Sequence, residues 1–189
     1  DVTIVSHDGV SNHVDLNLRL RQEPFTYVNL SSGDTLIAES ASDNQTMYPT
    51  SFGYGANLTS LGGREEIRIA FHRVGHASAL DTKVVMPTPF ELMLSSEAGL
   101  ESDLLFIEWS QVTSEPMNID IDGPCLLPES FTVDGLQTAG MFIIDSDNLL
   151  IDDFWDGAEC LIDVTVSRTN EGAIDHELWG GRISATQTR

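Results

Sequence analysis

The chain has 189 residues, 30 of them acidic against 9 basic, a formal net charge of −21. A surface this negative repels nucleic-acid phosphates and anionic lipid, and 41% apolar residues is too many for a disordered acidic tail. No apolar run approaches the roughly 18 residues of a transmembrane helix, and the two cysteines cannot hold the chain together alone.

In chain order, period two dominates. Val14, Leu16, Leu18 and Leu20 alternate with Asp15, Asn17 and Arg19, which predicts a half-buried strand. Ser31-Ser-Gly-Asp34 reads as a turn. Ile67, Ile69 and Phe71 alternate with Arg68, Ala70 and His72. Prolines cluster at Met86-Pro-Thr-Pro89, where pairing must break because proline cannot donate to a ladder. Beyond them, Leu104–Ile107 and Met141–Ile144 read as strands buried on both faces. Met117, Ile119 and Ile121 alternate, as do Ile162, Val164 and Val166. Further turns are expected at Leu61-Gly-Gly63, Asp134-Gly135, Asp156-Gly157 and Gly180-Gly181. The best helical stretches, Ser95–Leu100 and Ile174–Leu178, are single turns.

Short strands between polar turns predict an all-β protein, an antiparallel β-sandwich, as two immunoglobulin-like sandwiches in tandem. The proline cluster divides them into an N-terminal sandwich over 1–88 and a C-terminal one over 89–189. The expected core includes Leu16, Leu18, Ile69, Phe71, Leu105, Ile107, Trp109, Ile143, Val164 and Val166.

Few residue patterns point to chemistry. Asn118–Glu129 matches the spacing of a twelve-residue calcium loop. Pro124 and Pro128 and the alternation of Ile119 and Ile121 oppose that geometry, so the segment reads as a strand ending in a turn. Asp145, Asp147, Asp152, Asp153 and Asp156 form a dense acidic run. It reads as a solvated loop or, alternatively, as a calcium site, since calcium takes six to eight oxygens. His72 and His76 read as surface histidines, because a strand separates them too widely to share one metal. Trp109 follows the core alternation; Trp155, inside the acidic run, is either a loop anchor or an exposed binding side chain for a sugar or protein. No nucleophile elbow, zincin motif, P-loop or dinucleotide fingerprint occurs. Three glycosylation tripeptides begin at Asn29, Asn44 and Asn57.

Cys125 and Cys160 fit no redox or zinc spacing. In a strand-rich chain they read most simply as one disulfide, worth about 3–4 kcal/mol in the chain-entropy model, which places the protein in an oxidising compartment. The alternative is a pair of buried reduced thiols.

The C-terminal half carries a resemblance through Asp103-Leu-Leu-Phe-Ile-Glu-Trp109, Ile121-Asp-Gly-Pro-Cys125, Gly140-Met-Phe-Ile-Ile144, Leu161-Ile-Asp-Val-Thr-Val-Ser-Arg168 and Trp179-Gly-Gly-Arg182. Leu30–Leu36 and Ile69–Arg73 extend it into the N-terminal half. The chain resembles a family of exported proteobacterial proteins of unassigned activity, described as hypothetical lipoproteins. The resemblance implies export, an all-β fold and a lipid-bearing cysteine upstream of Asp1. The expected role is therefore that of a non-enzymatic binding or structural module at the bacterial envelope, periplasmic, anchored or secreted. Its partner would be a protein or glycan. The alternative is an extracellular hydrolase acting on a polymer through a carboxylate pair.

A disulfide between Cys125 and Cys160 predicts no free thiol in the unreduced, denatured protein. Titration of two thiols per chain contradicts it.

Overall fold

The computed structural model describes residues 2–6, 13–18, 21–23, 26–27, 29–51, 53–59, 64–96, 104–110, 113–124, 126, 130–136, 140–145, 162–178 and 182–189; up to residue 27 it describes the backbone course alone. Among these residues every regular element is a strand. The strands are β1 (Val2–Ser6), β2 (His13–Leu18), β3 (Arg21–Glu23), β4 (Thr26–Tyr27), β5 (Thr35–Glu39), β6 (Asn44–Thr46), β7 (Tyr48–Thr50), β8 (Gly53–Thr59) and β9 (Glu66–His72). They continue with β10 (Ala79–Val85), β11 (Leu92–Ser96), β12 (Leu104–Trp109), β13 (Met117–Asp122), β14 (Ser130–Leu136), β15 (Met141–Asp145), β16 (Asp163–Glu171) and β17 (Ile183–Thr188).

The chain forms two compact units. The first comprises Asp1–Pro89 with Thr169–Thr188; the second comprises Phe90–Arg168 with Arg189. The first break falls at the proline cluster. The segment 89–189, read from sequence as one continuous module, is shared between the two, because β17 pairs with β1.

In the first unit, β10, β9, β5 and β6 form one antiparallel sheet, and β7, β8, β2, β1 and β17 form another. The β1–β17 pair is parallel, from Val2 opposite Ile183 to Ser6 opposite Gln187, an exception to the antiparallel rule elsewhere. A parallel pair needs a long crossover, and here nearly the whole chain supplies it. Leu36, Ala38, Ile67, Ile69 and Val84 from the first sheet pack with Tyr54, Ala56, Leu58, Ile183 and Ala185 from the second. Inner faces of two sheets sharing one cluster make a β-sandwich. The Tyr54 hydroxyl accepts the Leu30 N–H at 2.8 Å, so this buried phenol is satisfied. The Ser31–Asp34 turn forms as read: Asp34 N–H donates to the Ser31 carbonyl at 3.0 Å, and Gly33 takes φ +93°, a conformation open to glycine. A Cβ at Gly172 would meet the Lys83 carbonyl, Val84 Cβ at 2.6 Å and Ile183 Cγ2 at 2.8 Å, so this close approach requires glycine.

The second unit repeats the plan. β11, β12 and β15 form an antiparallel sheet, and β14, β13 and the first part of β16 form the facing one. Ile107, Trp109 and Ile144 meet Met117, Ile119, Ile121 and Val166, with Phe90 and Leu126 closing the cluster. β13 alternates as the sequence suggested, and Asp120 accepts a 2.6 Å hydrogen bond from the Thr132 hydroxyl. Asn118–Asp122 is thus ladder, not an ion-binding loop.

Two readings change. Ile143 is 43% exposed and Met141 40%, while Phe142 and Ile144 face inward, so the dense run Met141–Ile144 alternates like any half-buried strand. Asp134-Gly135 is no turn. It lies inside β14, where the register slips by one residue between Ile119 opposite Val133 and Met117 opposite Leu136, which is a β-bulge. The segment 174–178 makes a turn closed by Leu178 N–H on the Asp175 carbonyl, 3.0 Å. Of the expected core, Ile69, Ile107, Trp109 and Val166 are buried, and Phe71, Leu105 and Val164 are partly so. The side chains of Leu16 and Leu18 lie outside the described residues.

Among the described residues Arg168 is the largest fully buried side chain. It ends the inward series Val164, Val166, Arg168 on β16, directly opposite Met117. Its Nε donates to Met117 Sδ at 3.0 Å, Nη1 lies 3.6 Å from Glu115 Oε2, and the guanidinium covers the Phe90 ring at 5.2 Å. Burial pushes its pKa below the ordinary arginine value and Glu115 pulls it back up, so the cation persists. Removing one partner of a buried pair costs about 3–5 kcal/mol, whereas replacing both by uncharged groups of similar volume costs little. Arg168→Ala is therefore expected to lose about 3–5 kcal/mol in urea unfolding. Arg168→Met combined with Glu115→Gln is expected to recover most of that loss.

Candidate functional site

The sites read from sequence fall largely outside the described residues. Cys125, Cys160, Asp147, Asp152, Asp153, Asp156 and Trp155 all do, and Asp145 is described only as the last backbone position of β15. His72 ends β9 and His76 sits in the following bend, both exposed. Among the described residues no group of three or more His, Cys, Asp or Glu side chains could hold a metal ion. Nor is any helix there long and apolar enough to cross a membrane.

Two of the carboxylates act as anchors for the backbone. Asp175 accepts the Glu177 N–H through Oδ1 at 2.8 Å and the Asp81 N–H through Oδ2 at 2.8 Å. These backbone donors, with Leu80 and the neighbouring His176, hold its carboxyl below the usual range against the opposing effect of burial. Asp43 takes the Thr59 N–H at 3.0 Å, the Asn44 N–H at 2.7 Å and the Gln45 amide at 3.1 Å, and its pKa is lowered chiefly by the Thr59 bond. Both tie turns to strands within the first unit.

The feature that stands apart is the outer face of the β11–β12–β15 sheet. Cross-strand register sets Met93 opposite Glu108 and Glu108 opposite Met141, one row of three. The next row is Ser95, Phe106 and Ile143. Met93 is 54% exposed, and with Met141 and Ile143 it leaves a contiguous apolar surface around the half-buried Phe106. Leu94 has inward parity yet is exposed, because β11 is paired on one side alone among the described residues. Glu91, exposed just before β11, adds a carboxylate at the rim. No described position of this face carries a basic residue.

The chain holds its own control. In the first unit, the row Glu39, Arg68, Lys83 occupies the same kind of three-strand register on the outside of the β5–β9–β10 sheet. There Arg68 Nη2 pairs with Glu39 Oε2 at 2.9 Å. Lys83 Nζ in turn lies 3.3 Å from Asp81 Oδ1, so each cation of this solvated outer row is balanced by a carboxylate. The row Met93, Glu108, Met141 has none of that balance. Sequence reading missed this face because it took Met141–Ile144 as doubly buried; the signal available was parity, which puts Met141 and Ile143 opposite the core pair Phe142 and Ile144.

No family model matches the chain. No curated protein matches it either. Among solved structures the chain is similar to the FN1–FN3 domains of chicken CNTN1, at 12% identity and a TM-score of 0.33, covering 97% of this chain. The chain spans 62% of the length of that structure. The sandwich assignment stands on the strand pairings and shared cores above.

A group whose folded pKa is depressed stabilises the fold above its unfolded pKa, and that contribution fades as pH falls through the folded pKa. Asp43 and Asp175 therefore contribute at neutral pH and progressively less below about pH 4. The variant Asp175→Asn is expected to be less stable than the parent at pH 7 and to show a shallower loss of stability on acidification. Urea midpoints taken from pH 7 to pH 2 check the slope.

Proposed function

We propose that this chain is a non-enzymatic β-sandwich binding module of the bacterial cell envelope, exported and working through the outer face of β11–β12–β15. The observation that supports this is the exposed apolar cluster of Met93, Met141 and Ile143 around Phe106. Contiguous apolar surface on an otherwise acidic protein marks a contact site, whereas isolated exposed apolar residues need no explanation. The Cys125–Cys160 pairing read from sequence suits the same oxidising location.

The test is cellular. The epitope-tagged product of the native gene is expected in the periplasmic or envelope fraction, cross-linked to a partner there. The double variant Met93→Ser/Ile143→Ser is expected to reach the same fraction, fold with an unchanged melt and lose the cross-linked species. Cytoplasmic retention of the parent, or cross-linking indifferent to the variant, contradicts the reading.

A further inference from the structure

The composition of this face specifies a partner. Glu108 sits at its centre, flanked across the ladder by Met93 and Met141 and followed along its strand by Phe106. It is half-buried, and among the described residues no cation pairs with it. A carboxylate ringed by apolar side chains loses much of its hydration when a partner covers the face. Such desolvation is unfavourable unless the partner brings a positive charge to it. The rim repeats the sign through Glu91, and the chain as a whole carries −21. Of the exposed apolar side chains of outward parity, Met93, Met141 and Ile143, two are methionines, whose unbranched, polarisable chains repack around varied apolar contacts.

We infer that the outer face of β11–β12–β15 docks a cationic amphipathic protein segment, its apolar side chains on Met93, Phe106, Met141 and Ile143 and a lysine or arginine on Glu108. This rests on the binding-module reading and names the partner class for the same face. A second copy of this chain is the wrong occupant. A two-fold contact would bring like patches together, Glu108 and Glu91 against their own copies, between molecules of charge −21 each. A purely basic ligand is also wrong, since it leaves the apolar ring uncovered. The geometry asks for both properties in one segment.

Three synthetic peptides of equal length decide the matter: one of leucine and lysine at helical amphipathic spacing, one with glutamate for each lysine, and one with serine for each lysine. Binding to the whole chain is measured by titration calorimetry at about 0.5 M salt, where attraction to net charge is largely screened. The leucine–lysine peptide is expected to bind. Met93→Ser/Ile143→Ser should weaken it at least about tenfold, and Glu108→Gln, a near-isosteric change, about threefold to tenfold. Unchanged circular dichroism and melting temperature establish that each variant is folded. If the serine or glutamate peptide binds equally well, and the double variant still weakens it, the face is a docking site but its partner need not be cationic; the inference fails and the module reading survives. If the double variant changes no peptide's affinity, both fail. Concentration-dependent dimers abolished by Ile143→Ser would replace the inference with self-association.

Discussion

The second unit closes on the guanidinium of Arg168. Phe90 and Arg168 are the first and last residues of that unit's continuous segment, and Arg189 joins it by exchanging backbone hydrogen bonds with Val166 at 2.9 and 3.0 Å. The Phe90 ring lies beneath both guanidiniums, 5.2 Å from Arg168 and 5.5 Å from Arg189, and its carbonyl accepts from Arg189 Nε at 3.1 Å. The ends of the unit are thus bound to one another at one aromatic ring. Each cation–π contact adds about 0.5–2 kcal/mol depending on desolvation. The larger consequence is constraint: a buried cation must keep all its partners, so the position of β16 against β13 has little freedom.

The acid excess has a structural use beyond solubility. Asp34 accepts the Ser31 and Val74 N–H groups at 3.2 and 2.8 Å, and so joins its own turn to the bend after β9. Asp43 and Asp175 do the same for other turns. Sandwiches need many tight connections whose amides have no ladder partner, and a short carboxylate accepts two or three of them at once. An ionised acceptor strengthens each bond, which is why Asp43 and Asp175 sit below the usual carboxylate range. With carboxylates committed in this way, a high density of acids says little about catalysis or metal binding.

How much was legible in the sequence follows the same division. Period two located β2, β9, β13 and β16, and with them strands of both cores, because alternation is the physical signature of a sheet wet on one side. Three things escaped. The parallel β1–β17 pair links the two ends of the chain, and nothing local encodes a partner so far away in sequence. Arg168 went unread, although Val164 and Val166 put it on the inward parity, where Glu115 and the Phe90 ring lie against it. Met141–Ile144 looked doubly buried because four apolar residues in a row carry no period at all. The candidate site was hidden by that same absence of period, and the cysteines, the acidic run and Trp155 lie outside the described residues.

Outer sheet faces in this chain follow two rules, and the contrast between them carries the argument for function. Glu39, Arg68 and Lys83 show what an antiparallel row needs to stand in water: charged heads on long stems, each cation beside a carboxylate. An exposed pair of that kind adds at most about 1 kcal/mol, so its value is solubility more than stability. Met93, Glu108 and Met141 occupy an equivalent row and forgo it. Among the described residues nothing in the second unit's core demands apolar residues there, since Ile107, Trp109 and Ile144 already fill the inner face. Serine or threonine at positions 93, 141 and 143 would suit the ladder equally well and hydrate better. The apolar side chains are therefore unexplained by folding. Surplus negative charge keeps such a face soluble by holding copies apart, and by the same field it draws in segments of opposite sign.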